Sequence, residues 1–127
     1  DYLNIYFPAD ALKAIMPDLT QFGKRVANEF IDWARDAEVN KPQLIQFDAW
    51  GKRVDEIKVS QGWLNLERVA CEDGLVAIGY ERLYGEHSRL YQFVKLYLYT
   101  ASSAIYTCPL AMTDGAARLI ENMPIKD

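Results

Sequence analysis

From Leu19 onward, large apolar residues recur at Leu19, Phe22, Val26, Phe30, Trp33 and Ala37, at spacings of three and four. That period places them on one stripe of a helix, with Lys24, Arg25, Glu29, Asp32 and Arg35 around the remainder. The spacing predicts a long helix ending at Asn40-Lys41-Pro42, because the residue before a proline avoids the α region. Ahead of it, Pro17 is expected to separate a short first helix, about Ala11 to Met16, from the long one. Asp10 and Asp18 are the candidate N-caps.

Between Gln43 and Val59 the helical period is lost. Leu44, Ile45 and Phe47 read as extended, and Asp48-Ala49-Trp50-Gly51 reads as a turn with glycine where positive φ is tolerated. A short irregular or hairpin-like excursion fits this segment better than a full strand pair. Ser60 then caps a third helix running to about Arg82, with Trp63, Leu66, Ala70, Ala77 and Tyr80 on one stripe. Gly62, Gly74 and Gly79 lie inside it. Each costs about 0.5–1 kcal/mol in a helix, so close packing against a neighbour is expected there.

A fourth helix, about Glu86 to Tyr106, is expected to present Leu90, Phe93, Val94, Tyr97, Leu98, Ala101, Ala104 and Ile105 on one side. It passes through Thr107-Cys108 into a fifth helix from Pro109 to about Asn122. Pro109 suits a first helical position, where a missing N–H costs nothing. The pattern as a whole predicts an all-α domain: an antiparallel bundle of about five helices with the excursion around 43–59.

Length and composition agree with one soluble-type globular domain over 1–127: 50% of residues are hydrophobic and 25% charged. The chain opens at Asp1 without a methionine and ends at Asp127 soon after Met123-Pro124, so it is read as a piece of a longer polypeptide. A net charge of -4, with no window rich in Lys and Arg, argues against nucleic-acid binding through this segment. Two cysteines, Cys71 and Cys108, make no disulfide framework, and an intracellular location with reduced thiols is expected. The run from Leu90 to Ile105 is interrupted by Gln92 and Lys95 and falls short of a membrane span.

Candidate chemistry is sparse. With a single histidine, His87, neither a paired Glu-x-x-His di-iron site nor a His-Glu-x-x-His zinc site can be built. Glu29, Asp32 and Asp36 share a helix with Lys24, Arg25 and Arg35, which favours a solvated ion-pair face over a metal site. No glycine-rich phosphate loop occurs. The residues by themselves supply no catalytic constellation.

Two segments carry a resemblance. Asn40-Lys41-Pro42, followed by Asp48-Ala49-Trp50-Gly51-Lys52-Arg53-Val54-Asp55, resembles the Asn-x-Pro…Asp-x-x-Gly-Arg-Arg-hydrophobic-Asp segment of AidB-type acyl-CoA dehydrogenases. In those proteins, too, a helix follows with a tryptophan in its first turn, here Trp63. The Cys108-Pro109-Leu110-Ala111-Met112-Thr113 join is similar to their Cys-Pro-hydrophobic-x-Met-Thr corner. Order and spacing match over nearly the whole chain, which looks like the helical N-terminal domain.

The resemblance implies an intact FAD-dependent flavoprotein that dehydrogenates an acyl thioester, with the catalytic glutamate and the flavin-contacting segment outside this chain. It implies that this chain alone neither catalyses nor binds FAD. By the same resemblance, Ser102, Ser103, Tyr106, Thr107, Cys108 and Met112 match the wall beside the acyl tail of an acyl-CoA or fatty acyl ligand. The implied partners are the remaining domains and further copies in a homo-oligomer, in the cytoplasm or mitochondrion and without a membrane. Two alternatives share these residues: an acyl-lipid-binding protein that does not oxidise its ligand, and an AidB-like protein of the DNA-alkylation response.

Overall fold

A computed structural model describes residues 2–124; Asp1 and residues 125–127, and with them both chain ends noted above, lie outside the described residues. A short α1 (Leu3–Tyr6) precedes α2 (Ala9–Arg25), which passes through a widened π turn at Val26–Phe30 directly into α3 (Ile31–Val39). A hairpin follows, β1 (Gln43–Phe47) and β2 (Arg53–Lys58). Then come α4 (Gln61–Glu72), the short α5 (Ile78–Glu81), a 3₁₀ turn at Gly85–His87, α6 (Ser88–Thr100) and α7 (Thr107–Asn122). The helical bundle expected from the apolar periods is what forms.

Pro17 does not break the helix. It lies inside α2 on the solvent side, so the Lys13 carbonyl that loses its partner is free to meet water. Ile15, Leu19 and Phe22 are buried on the opposite side. Burying three such residues contributes about 1.5–3 kcal/mol each, more than the roughly 3 kcal/mol that an internal proline costs. Consequently Asp10 falls in the first turn of α2 behind Pro8, and Asp18 is a mid-helix residue rather than an N-cap.

The π turn has a reason in the stripe itself. Phe22, Val26, Phe30 and Ala34 are all buried and each is four residues from the next. On a helix of 3.6 residues per turn, each such step would rotate the stripe by about 40°. One widened turn cancels that drift and keeps Phe30 in the core, stacked on Trp33 at 5.3 Å.

The excursion after α3 is a complete antiparallel hairpin, better ordered than the sequence suggested. Leu44 pairs with Ile57 and Ile45 with Glu56, while Phe47 pairs with Arg53. One residue on β1 therefore faces two on β2. That bulge is absorbed at Asp55, whose φ of 49° lies in the left-handed region. At the tip, the Asp48 carboxylate accepts from the Trp50 and Lys52 amides at 2.9 Å each, and Gly51 takes φ 81°. The hairpin stands clear of the core, and Trp50 at its tip is 90% exposed.

Ser60 caps α4 as expected, accepting from the Trp63 amide at 3.3 Å. The helix then ends at Glu72 instead of continuing to Arg82. Gly74 adopts φ 61°, the Leu75 amide donates to Ala70 O at 3.0 Å, and the Gly74 amide donates to Cys71 O at 3.1 Å. This is a Schellman ending, and it drives Leu75 fully into the core. Of the three glycines, Gly62 and Gly79 are the ones placed by close approach. A Cβ on Gly62 would stand 2.2 Å from Trp33 O, and one on Gly79 would stand 2.3 Å from Gln92 Oε1.

The largest departure concerns α6. It stops at Thr100, and its buried face is Ser88, Tyr91, Gln92, Lys95 and Tyr99. Phe93, Tyr97 and Ile105, from the expected apolar side, are 56%, 80% and 63% exposed. The inward face is polar because facing helices supply partners for it, and no buried side-chain nitrogen or oxygen among the described residues is left without one.

Candidate functional site

Two polar networks set α6 and α7 in place. In the first, Lys95, only 3% exposed, donates through Nζ to Asp18 Oδ1 at 3.2 Å and to the Asp73 carbonyl at 3.2 Å. It also lies 3.5 Å from Asp73 Oδ1 and over the Phe22 ring at 4.9 Å. The Tyr91 hydroxyl donates to the other oxygen of Asp18, and Arg25 donates to Asp73 Oδ2 at 2.8 Å. This cluster joins α2, the end of α4 and α6. Burial, with a further push from the Asp18 charge, raises the Tyr91 phenol, so it stays a donor.

In the second network, Arg89 Nη1 donates to both oxygens of Asp114, at 2.8 and 2.9 Å, and to Gln92 Oε1 at 2.7 Å. Gln92 Nε2 reaches Asp114 Oδ2 at 3.1 Å, and the Tyr80 hydroxyl is shared between the Asp114 carbonyl, at 2.7 Å, and its carboxylate Oδ1. Burial alone would raise the Asp114 carboxyl. The hydrogen bonds from Tyr80 and Arg89 and the Arg89 charge outweigh it and hold the carboxyl below its usual range. Because Leu110 is the buried residue of α7, this carboxylate does much of the anchoring that apolar contacts do for the other helices. Neither network was legible as a site in the sequence. An aspartate inside the apolar run of α7 was the signal for the second.

The corner between α6 and α7 is built by backbone bonds: Ser102 N to Tyr99 O at 3.0 Å and Tyr106 N to Ser103 O at 2.8 Å. Ala104 takes φ 48° to turn the chain. Pro109 is the third residue of α7, not the first, where its missing N–H still costs no helical bond. The six residues singled out there divide into two groups. Ser102, Ser103 and Tyr106 are buried by the chain itself; Ser103 Oγ donates to Thr100 O at 3.3 Å, and Tyr106 meets Trp63 edge-on at 5.4 Å. Thr107 is half-buried, while Cys108 and Met112 are exposed one turn apart, Met112 at 73%.

Cys108 and Met112 continue a pattern. With Leu119 and Met123 they form an open apolar stripe along α7 at spacings of four, seven and four, all exposed. Behind α7, a cleft of about 420 Å³ opens between the α4 ending and the inner side of the helix, with Ala77, Tyr106, Leu110 and Ala117 in its walls.

The carboxylates Glu29, Asp32 and Asp36, along the π turn and α3, do not gather. Glu29 pairs with Arg25 and Asp32 with Arg35, whereas Asp36 accepts from the Gly62 amide at 2.6 Å. That amide lowers the Asp36 carboxyl. Among the described residues no cluster of His, Cys, Asp and Glu could hold a metal ion, and no helix is long and apolar enough to cross a membrane.

A family model for the adaptive response protein AidB N-terminal domain matches residues 8–125. Acyl-CoA dehydrogenase family member 11 of Caenorhabditis elegans is 37% identical over 122 residues, covering 95% of this chain and 20% of that protein. The putative acyl-CoA dehydrogenase AidB of Escherichia coli (strain K12) is 26% identical over 106 residues, 83% of this chain and 20% of its own length. Among solved structures, Bd2924 in its apo form superposes with a TM-score of 0.87 at 52% identity, covering 91% of this chain and 23% of that one. The C. elegans ACDH-11 structure in complex with C11-CoA gives a TM-score of 0.87 at 37% identity over 92% of this chain and 20% of its own. The chain therefore spans about a fifth of the length of the relatives it matches. With the family model covering nearly all of it and the same helices in the same places, this chain belongs to the AidB N-terminal domain family, the helical N-terminal domain of AidB-type acyl-CoA dehydrogenases.

Proposed function

We propose that this domain forms part of the acyl-chain wall of an FAD-dependent acyl-CoA dehydrogenase that works in the intracellular compartment as a homo-oligomer. The observation that carries the reading is the open apolar stripe of α7, which begins at the Cys-Pro corner and is covered by no other described element. Cys108 and Met112 would touch the acyl tail, with Thr107 at its edge. Ser102, Ser103 and Tyr106 would hold the corner that aims them. A methionine suits this task because its unbranched thioether adapts to chains of different shape. The C11-CoA complex of the C. elegans relative supports an acyl-CoA ligand.

The stripe offers thiol, thioether and aliphatic atoms, which suit a hydrocarbon tail and do not suit the diphosphate of a flavin. FAD would thus be held through its polar parts elsewhere than at this stripe. When bound, it would supply the hydride acceptor for α,β-dehydrogenation of the acyl thioester. The share of this chain is to exclude water and orient the tail.

The test uses the intact protein. Its flavin absorbance should bleach on mixing with acyl-CoA. Met112→Trp should lower kcat/KM for long acyl chains by about tenfold or more relative to short ones, at unchanged flavin content. A protein without flavin, or one whose chain-length profile ignores the Met112→Trp change, would end the proposal. Acyl-CoA binding with no bleaching would point instead to a lipid-holding protein.

A further inference from the structure

A second opening lies on another side of α7 from the apolar stripe, among the end of α5, the start of α6 and the middle of α7, with a volume of about 620 Å³. Three arginines line it, Arg82 after α5, Arg89 on α6 and Arg118 on α7, together with the carboxylates of Glu86 and of Asp114, the latter already paired with Arg89. Such convergence is unusual in a chain whose net charge is -4. Arg82 and Arg118, from elements far apart in sequence, both donate to the carboxylate of Glu121, Arg118 at 2.5 Å. Arg89 is fixed by its double hold on Asp114 and by Gln92.

From this geometry we infer that the pocket binds a phosphate-type oxyanion, with Arg82 and Arg118 grasping it after the Glu121 side chain swings away. Glu121, which bridges the two arginines beside the opening, marks where an oxyanion would be grasped between them. Each guanidinium carries five N–H donors in a planar fork, and Arg82 and Arg118 each reach Glu121 through one terminal nitrogen, which leaves most of each fork for a second acceptor. The Arg82–Glu121 and Arg118–Glu121 pairs are more than half exposed on the arginine side, so exchanging one anion for another costs little. A dianion is drawn to two guanidiniums more strongly than a single carboxylate is.

Two backbone features support a built site. Arg82 sits at φ 55° and ψ 35°, the left-handed region that a residue with a side chain seldom adopts and that is often kept for a purpose. Gly79 lets the Arg89–Gln92 pair press against α5, since a Cβ there would stand 2.9 Å from Arg89 Cζ. The aromatic ring of Phe93, more than half exposed, forms an apolar flank beside the arginines. Pocket and stripe are separate surfaces, so this inference stands or falls apart from the acyl-chain reading.

The experiment is calorimetric titration of the intact protein with inorganic pyrophosphate at low salt. Saturable binding is expected, weakened about tenfold or more by Arg118→Gln, and also weakened by Arg118→Lys, which keeps the charge but loses the fork. Glu121→Gln should tighten it by removing the competitor. Arg35→Gln and Glu38→Gln, on α3 and outside the pocket, should leave it unchanged. Flavin content measured on the Arg118→Gln protein separates two sources of the group. Retained flavin assigns the pocket to a free phosphate-bearing ligand, and lost flavin assigns it to the cofactor's own diphosphate. Absence of saturable binding, or equal weakening by Arg118→Gln and Arg35→Gln, would overturn the assignment.

Discussion

Replacing Gly62 by alanine sets two effects of opposite sign against each other. In an unconstrained helix the change gains about 1 kcal/mol of helix propensity. Here the added methyl would lie 2.2 Å from the Trp33 carbonyl oxygen, 2.7 Å from Asp36 Oδ2 and 2.9 Å from Asp36 Cβ. Two of these are backbone or main-stem atoms that cannot swing aside, so α3 and α4 must separate by about 1 Å to reach ordinary contact. Overpacking of this kind costs about 1–3 kcal/mol. The separation also stretches the 2.6 Å charge-assisted bond from the Gly62 amide to Asp36. The balance is a net destabilisation of about 1–2 kcal/mol, with the clash and the stretched bond outweighing the propensity gain. Urea unfolding followed by tryptophan fluorescence reads it directly, because Trp33 and Trp63 flank the crossing. Asp36→Asn, which keeps the glycine and loses only the charge, should cost less. A Gly62→Ala protein as stable as the parent would refute the claim that this helix crossing is set by backbone contact.

Lys95→Met should destabilise the domain by about 2–3 kcal/mol in the same assay. It strips a nearly buried cation from Asp18 and Asp73, although Arg25 still serves Asp73 and Asp18 is partly exposed, which keeps the loss below that of an isolated buried pair. A change under about 0.5 kcal/mol would show that the cluster is not what joins α2 to α6. The pH dependence follows from Asp114, whose carboxyl titrates below its ordinary 3.8 in the folded chain. Its contribution is fully present above the unfolded value and is lost as pH falls through the folded one, so stability should drop below about pH 4. Comparing urea midpoints at pH 7 and pH 3, Asp114→Asn should be destabilised at pH 7 and show the smaller loss on acidification; an unchanged loss would argue against Asp114 as the anchor of α7.

Much of the fold was written in local pattern. The stripe from Leu19 to Ala37, the Ser60 cap, the turn at Asp48–Gly51 and the entry into α7 at Cys108-Pro109 each depend on residues within a few positions of one another. Their physics is that of short-range helix and turn geometry, and the last two of these segments carried the family resemblance. What tertiary structure decided was everything that required a distant partner. The inward face of α6 could not be phased from hydrophobicity, because Tyr91 and Lys95 become core residues only through Asp18, more than seventy positions away. Pro17 failed to break α2 because the stripe on its far side had a surface to bury against, and Gly74 ended α4 because Leu75 had a core to enter. The corner residues divide for the same reason: Ser102, Ser103 and Tyr106 found cover within the chain, while Cys108 and Met112 remained open. Sequence period specifies which side of a helix is apolar; only packing specifies which side has a neighbour, since a charged or polar group may be buried once its partner arrives with it.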